Sequence, residues 1–486
     1  MSNLFKQNVN IRDYKLVLDE VQEYISNTYA TAFDDDDDRQ KGQIKFYITK
    51  FIEDKNLGVN NLSKEQLVNK LYFEMKEASF LTEYLDSKEV EEININAWDD
   101  VKINMWDGRV ITLEEHFNSP KHALDVIKRL LRPSGAILDD ESPMVRGHLR
   151  NNIRITAYAP PVIDAKAGVA ASIRIINPQH LGKDDLVKKG TATSEILDQL
   201  SLLLRYGISI CIAGSVGSGK TTTLSWLLES VRRYKRIFTI EVENREFDLV
   251  EKDENGQTLT NVVHSVTRRS DDSKRVIDVE KLLEYALTTN PNIICIGEMK
   301  SSEAYGAQEA ANTGIAVIAT THANSCEATY PRIRTLCKKK YDLKDETLDG
   351  MIAEAFPVVV FQKQLEDHSR KIMEITECEI LRSGERKLHT LWRYNVEENK
   401  IINDKTIIKG HFERVEVISE RLQKRLIQNG MPGIILDQFL EGEFSDDVIA
   451  HCIPSVSGRE LFTPKAVAGG NGRRANSKAS GRKSNY

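Results

Sequence analysis

No stretch of this sequence approaches the ~18 consecutive apolar residues that a membrane-spanning helix needs, which argues against a transmembrane anchor. The first residues, MSNLFKQNVNIRDY, lack the basic-then-apolar layout of a secretory leader. Cysteine is sparse and scattered: six residues, at 211, 295, 326, 337, 378 and 452, with no C-x-x-C pair. Neither a disulfide framework nor a zinc ribbon fits that spacing. Cys211 and Cys295 lie inside apolar runs and read as core thiols. A basic surplus is missing too. With a formal net charge of -6 and a pI near 6.0, composition makes no general case for nucleic-acid binding. These absences predict a cytoplasmic protein. What remains is 40% hydrophobic and 29% charged, the profile of a soluble globular chain, and 486 residues suffice for two or three domains.

The chain is organised around ISICIAGSVGSGKTTTL, Ile208 to Leu224. Ile208, Ile210 and Ile212 read as a buried parallel strand, because such strands are covered on both faces. The strand runs into Gly214, Ser215, Val216, Gly217, Ser218, Gly219, Lys220 and Thr221, which fit G-x-x-x-x-G-K-[ST] at every fixed position, with Thr222 following. A helix is predicted over Leu224 to Arg233. Backbone amides of such a loop close on phosphate oxygens, Lys220 reaches the β- and γ-phosphates, and Thr221 can hold magnesium.

Upstream, apolar residues at helical spacing predict a helix within 9–30, a second through Ile44–Ile52 and a third opening at Ser63, where Gln66 completes a capping box. The aspartate run 34–38 between the first two reads as a solvated linker. This leading part is a small helical extension, better suited to docking than to chemistry. From Glu89 the pattern alternates with period two and predicts paired strands turning at Asp99-Asp100 and Asp107-Gly108. A helix over His122–Leu131 and strands at 153–157 and 169–176 complete a mixed α+β domain. Arg154 and Arg174 fall within its strands, and residues 177–190 read as the linker to the nucleotide domain.

Beyond the loop, strands are predicted at 236–243, 292–299 and 314–320, with a helix at 276–289. The first ends in Glu241, Glu243 and Glu246, the second in Gly297-Glu298, and the third leads into Thr321-His322-Ala323-Asn324-Ser325. An apolar strand closed by an acid is the second signature of a phosphate-loop NTPase. Alternating strands and helices imply a parallel sheet with helices on both faces, which binds ligands at the carboxyl ends of its strands. Lys220, Glu241, Glu298 and His322 converge there. Residues 357–395 read as further β structure and Phe412–Asn429 as a helix. The last segment, Lys465–Tyr486, has six basic residues and no acids; its composition predicts disorder. Such a tail can lie on anionic lipid at about 1 kcal/mol per charge, or simply solubilise the chain.

In order, GSVGSGKTTTL, RIFTIEVENREF, NIICIGEMKSSEA and TGIAVIATTHANS resemble the Walker A, Asp box, Walker B and His box of the secretion ATPase superfamily. DESPMV (140–145), RITAYAPP (154–161) and SIR (172–174) are similar to the upstream pattern of its CpaF branch, which serves Tad-type pilus assembly and is close to conjugation ATPases. The resemblance runs from about Glu89 to Phe361. It implies a homo-hexameric ring, peripheral to the cytoplasmic face of a membrane machine, using ATP and Mg2+ and contacting inner-membrane platform proteins. It further implies that Glu298 activates the attacking water, His322 lies near the γ-phosphate, and Arg154 and Arg174 reach the phosphates from the N-terminal domain.

Two departures stand out. The Asp box usually reads Ile-Glu-Asp, whereas Val242 follows Ile240-Glu241 here, so that either Glu241 or Glu243 takes the role beside the metal. Lys300 replaces the arginine after the Walker B glutamate, keeping the charge but not the planar fork. The expected fold is α/β: a RecA-like domain (183–395) preceded by a mixed α+β domain (79–182). A helical extension (1–78), a C-terminal helical segment (396–464) and the basic tail (465–486) flank them. A RecA-like nucleic-acid translocase and a non-catalytic nucleotide-binding scaffold are the competing readings. The acidic body speaks against the first and intact Lys220 and Glu298 against the second, so no direct, specific nucleic-acid binding is expected.

Overall fold

The computed structural model describes residues 10–14, 16–18, 20–21, 24, 38–76, 78–87, 89–106, 108–150, 153–175, 181–242, 245–268, 272–402 and 405–445. Residues 34–37 of the aspartate run, Glu243, most of the helix expected within 9–30 and the basic tail lie outside them.

At the N-terminal end β1 (Asn10–Ile11) pairs in parallel with β2 (Leu57–Gly58), flanked by α1 (Asp38–Asp54) and α2 (Lys64–Lys76). Val17, Val21, Ile44, Ile48, Leu67 and Leu71 form their shared core. The capping box before α2 is reciprocal: Gln66 N donates to Ser63 Oγ (3.2 Å) and Ser63 N to Gln66 Oε1 (2.9 Å). Two orphan amides of the helix start are thereby satisfied.

After the short α3 (Leu81–Leu85) comes a six-stranded antiparallel sheet, built from β3 (Val90–Ala97), β4 (Asp100–Met105), β5 (Val110–Thr112), β6 (Met144–Arg150), β7 (Ile153–Tyr158) and β8 (Ala170–Ile175). Its order is β5-β4-β3-β8-β7-β6. Strand alternation sends Ile93, Ile95, Ile155 and Ile173 to one face, against Ala123, Val126, Ile127 and Leu131 of α4 (Pro120–Leu131). The register then forces a polar row onto the other face, where Glu92, Arg174 and Arg154 stand opposite one another on β3, β8 and β7.

The larger sheet has nine strands. It is built from β9 (Ile210–Gly214), β10 (Ile237–Glu241), β11 (Val262–Val266), β12 (Ile293–Met299), β13 (Ala316–Thr321), β14 (Val358–Gln364), β15 (Arg370–Ile380), β16 (Arg386–Ile402) and β17 (Lys405–Arg414). The order is β11-β10-β12-β13-β9-β14-β15-β16-β17, parallel up to β14 and antiparallel thereafter. Of the helices beside it, α5 (Lys183–Lys188) and α6 (Ser194–Arg205) precede β9, and α7 (Lys220–Glu229) follows the loop. Then come α8 (Val279–Leu287), α9 (Glu303–Asn312), α10 (Cys326–Cys337) and α11 (Asp345–Ala355).

Alternate strand residues divide between two cores. Ile210, Ile212, Ile318 and Val358 pack with Leu197, Leu200 and Leu227 of α6 and α7. Cys211, Ala213, Val317 and Val359 pack with Leu283, Ala307, Ile333 and Ile352 of α8 to α11. Helices therefore cover both faces. The fold is an α/β RecA-like domain preceded by an α+β domain, with β13 inserted between the loop strand β9 and β12. Cys211 and Cys295 are both fully buried. No described helix is long and apolar enough to cross a membrane.

Three expectations are corrected. The helix begins at Lys220, directly after Gly219, rather than at Leu224. Part of the linker at 177–190 is helical, as α5. The C-terminal part is not helical from 396: strand pairing continues through β16 and β17, and Phe412–Arg414, expected in a helix, pair with Trp392–Tyr394. Only Glu420–Gln428 forms that helix (α12), because Ser419 Oγ caps it by accepting from Leu422 N. Helix α13 (Gly433–Glu441) follows. Buried Gln199 of α6 ties this end to the domain, donating to Phe439 O (3.0 Å) and accepting from Trp392 Nε1 (2.8 Å).

Candidate active site

The phosphate-type loop joins β9 to α7, and neighbouring strands enforce its shape. At Gly214 a Cβ would lie 2.1 Å from Gln362 O on β14, so no side chain fits. Gly219 has φ +90°, and a Cβ there would meet Gln362 Nε2 at 2.9 Å and Arg370 Cδ at 3.1 Å. Gln362 also accepts from Thr223 Oγ1 (2.9 Å), fixing the first turn of α7 to β14. Inside the loop, buried Ser218 donates to Ser215 O (2.9 Å), while Val216 at the tip is 73% exposed. Gly217 sits between them, and Thr221 and Thr222 are half-buried in the first turn of α7.

Lys220 is only 8% exposed, and its Nζ donates to Gly214 O (3.1 Å) and Ser215 O (2.8 Å). Burial lowers its pKa most; Glu298 opposes that, and Arg174 and Lys300 add to it. A partly desolvated ammonium held only by loop carbonyls is poised to exchange them for phosphate oxygens.

Glu298 lies on β12 where the register with β13 shifts between Ile296 and Met299. Such an irregularity re-aims the side chain. Thr320 Oγ1 donates to Gly297 O (2.6 Å) and fixes the irregular backbone. The Glu298 carboxylate has Lys300 Nζ 2.7 Å from Oε2 and His322 Nε2 2.9 Å from Oε1. Nδ1 of His322 bonds Gly214 O at 2.9 Å. A cleft of about 490 Å³ opens beside Gly214, Ser215, His322 and Asn324, with Arg332 of α10 on its rim.

The N-terminal domain meets this centre through its polar row. Arg154 is ion-paired with Glu246, and Arg174 is close enough to act on Lys220 electrostatically. Glu246 acts on Lys220 as well, with the opposite sign. Glu241, the described one of the two acids expected beside the metal, is held by its own strand and the turn that follows. It is 2% exposed; Oε1 accepts from Thr239 Oγ1 (3.0 Å), and Oε2 accepts from the backbone N–H of Glu246 and of Phe247 (3.0 Å). Glu241 thereby fixes the backbone that carries Glu246.

The donor set fits a magnesium nucleotide. The loop is a cradle in which Gly214 admits no side chain and Gly217 and Gly219 take a positive φ that strains any other residue, with a buried lysine at its floor and arginines facing it. Magnesium usually takes one or two protein oxygens plus phosphates and water, and Thr221 offers one such oxygen. Among the described residues no group of three or more His, Cys, Asp or Glu is placed to hold a metal alone.

The sequence model described as "Type II/IV secretion system protein" matches residues 76–438. The chain belongs to this family. Among curated relatives, an uncharacterized protein of Methanocaldococcus jannaschii is 29% identical over 255 residues, covering 52% of this chain and 44% of that one. A putative conjugal transfer protein of Mycobacterium tuberculosis is 26% identical over 275 residues, covering 54% and 74%. A type IV secretion system protein VirB11 of Bartonella quintana is 23% identical over 323 residues, covering 59% and 88%. This chain thus spans under half the length of the first relative. Among solved structures, the VirB11 ATPase of Brucella suis in complex with sulphate is 21% identical, with TM-score 0.31 over 61% of this chain and 95% of that one. The pilus retraction motor PilT with bound ADP is 15% identical, with TM-score 0.46 over 78% and 97%.

In this secretion-family chain the structure gathers the whole loop, Lys220, Glu298, His322, Arg154 and Arg174, with Glu241 bonded to the backbone that carries Glu246. Gln362, Glu91, Trp106 and Arg370 were not foreseen. Gln362 and Arg370 hold the loop from strands more than a hundred residues later, and nothing in their local sequence marks them.

Proposed function

We propose that this chain is an ATP-hydrolysing motor of a secretion, pilus-assembly or conjugation machine. The observation that carries the reading is the meeting at one loop of buried Lys220, the Glu298–His322 pair and the arginine row of the N-terminal domain. Loop amides and Lys220 bind the β- and γ-phosphates, and Thr221 would hold a magnesium ion, which would supply positive charge to the phosphates. Glu298 orients the attacking water and takes its proton, with His322 beside the γ-phosphate. Arg154 and Arg174 neutralise charge as it develops, where arginine contributes about 10³–10⁵ in rate.

Motion requires the subunit to work against copies of itself, so a hexameric ring at the cytoplasmic membrane face, bound to inner-membrane platform proteins, is the working form. The motifs at 140–145 and 154–161 favour the CpaF branch within the family. The test is steady-state hydrolysis of ATP with magnesium, alongside sedimentation with a non-hydrolysable analogue. Lys220→Ala abolishes productive binding, and Glu298→Gln binds but turns over about 10²–10⁴-fold slower. Glu298→Gln turnover within twofold of the unchanged chain removes Glu298 from the chemistry, and monomer alone at all micromolar concentrations removes the ring.

A further inference from the structure

The turn between β14 and β15, Leu365–Ser369, touches three other parts of the molecule. Arg370, first residue of β15, donates from Nε to Gly217 O (2.8 Å) in the phosphate-type loop. From Nη2 it reaches both oxygens of Glu91 on β3 (3.3 and 3.4 Å), and its guanidinium lies 6.0 Å from the ring centre of Trp106 at the end of β4. His368 packs so closely on the turn after β4 that a Cβ at Gly108 would come within 2.5 Å of its ring. On the far side, Glu366 accepts from Asn399 of β16 (3.1 Å) and Asp367 from the backbone N–H of Ile408 on β17 (3.1 Å). Asp367 also accepts from Ser369 N (3.0 Å), so that the turn is braced internally next to Arg370.

The bond to Gly217 O has a consequence for the loop. A trans peptide points its C=O and N–H in opposite directions. Holding the Gly217 carbonyl outward therefore turns the Ser218 N–H inward, where it makes only a long contact, 3.4 Å, with Ser215 O. An amide aimed into the loop with so weak a partner is free to take a phosphate oxygen. The second arm of the same guanidinium fixes β3 of the N-terminal domain, whose sheet also carries Arg154 and Arg174.

We propose that Arg370 is a positioning residue for phosphate chemistry: it presets the Gly217–Ser218 peptide and ties the loop to Glu91, so that the arginine row stands over Lys220. This rests on the nucleotide-binding reading above. Two different nitrogens of one planar group make the two contacts, and a lysine can make only one at a time. Lysine therefore does not rescue. The plain alternative is a brace that adds stability and nothing else.

The experiment uses the full chain with magnesium ATP and compares Arg370→Lys, Glu91→Gln and Arg174→Ala, singly and with Arg370→Lys and Arg174→Ala combined. Arg370→Lys lowers kcat at least about tenfold while KM moves under about threefold, because the interaction acts on the reacting geometry more than on ground-state binding. Arg174→Ala, costly in the otherwise unchanged chain, costs less than about twofold more in the Arg370→Lys background, since the two then fail as one unit. A stability brace would leave the Arg174 penalty at full size.

Turnover of Arg370→Lys within twofold of the unchanged chain, or an undiminished Arg174 penalty, overturns the inference. Should Arg370→Lys not fold, Glu91→Gln decides: unchanged kcat there removes the tie to the N-terminal domain. An unchanged chain that binds no ATP is a distinct result, and it removes the nucleotide reading itself.

Discussion

His322 stands between the phosphate-type loop and Glu298: Nδ1 bonds the Gly214 carbonyl at 2.9 Å, and Nε2 lies 2.9 Å from Glu298 Oε1. A carbonyl oxygen only accepts, so the Nδ1 hydrogen is assigned by that bond. The approach of Nε2 to Glu298 is close but not aligned, since Oε1 makes no hydrogen bond among the described residues. Lys300 holds the other oxygen at 2.7 Å. Glu298 is thus flanked by two nitrogen-bearing groups, Lys300 at Oε2 and His322 beside Oε1, which leaves Oε1 without a hydrogen bond among the described residues. The ring is anchored on the residue where the loop begins, so a phosphate entering the loop acts on it directly.

His322→Ala is expected to leave ATP affinity within a few-fold and to lower kcat by about 10²-fold, the usual effect of removing one preorganised polar group from a reacting centre. Titration of a non-hydrolysable analogue and steady-state rates separate the two. Equal rates in the variant and the unchanged chain would take His322 out of the reaction.

Arg154 and Glu246 give a second prediction. The arginine is paired with a carboxylate that also acts on Lys220. An entering phosphate competes with Glu246 for both cations. Glu246→Gln is therefore expected to tighten ATP binding several-fold, whereas Arg154→Ala and Arg174→Ala reduce turnover by up to about 10³-fold with the fold intact by circular dichroism. Weaker binding in Glu246→Gln, measured by calorimetric titration, would show that Glu246 serves the nucleotide rather than competing with it.

Much of this centre was legible because local pattern and chemistry coincide. The run Ile208–Leu224 carries strand, glycine loop and helix start in succession, and Glu298 and His322 each close an apolar strand. Arg154 and Arg174 could be placed in strands, but their alignment depends on the pairing of β7 with β8, which no local pattern states. What Glu241 bonds was not legible either, for a related reason: the amides of Glu246 and Phe247, which its carboxylate accepts from, are brought to it by the path of the turn after the strand. Phe412–Arg414 show the limit of helical spacing: Leu422 and Leu426 do lie on one buried helix face, with Ile418 buried just before the cap, but Val415 and Val417 are exposed and outside the helix, and the pattern was extended back into a strand. Arg370 gave no signal at all, because its partners are separated from it by more than a hundred residues.

The last prediction concerns the C-terminal part of the larger sheet. His389 on β16 is buried between two carboxylates, Glu416 Oε2 at 2.8 Å from Nδ1 and Glu379 Oε2 at 2.9 Å from Nε2. Glu377 on β15 lies nearby, itself buried and accepting from the N–H and hydroxyl of Ser419, the cap of α12. Burial disfavours the charged imidazolium, and Lys387 adds to that. The carboxylates of Glu416, Glu379 and Glu377 outweigh both, and the pKa is raised above the usual 6.5. A raised histidine pKa stabilises the fold in full below the unfolded value and loses that contribution as pH rises through the folded value. Burial also raises the pKa of Glu377, although Ser419 opposes it; that contribution is likewise lost as pH rises through its folded value. Thermal unfolding of the unchanged chain is therefore expected to shift to lower temperature as pH rises above about 6.5, the ordinary histidine value, with the loss of charged His389 as a source. His389→Gln should be less stable at the acid end of that range and flatter across it. If the two chains keep parallel profiles over the window, the imidazole is not what joins Glu416 to β15 and β16.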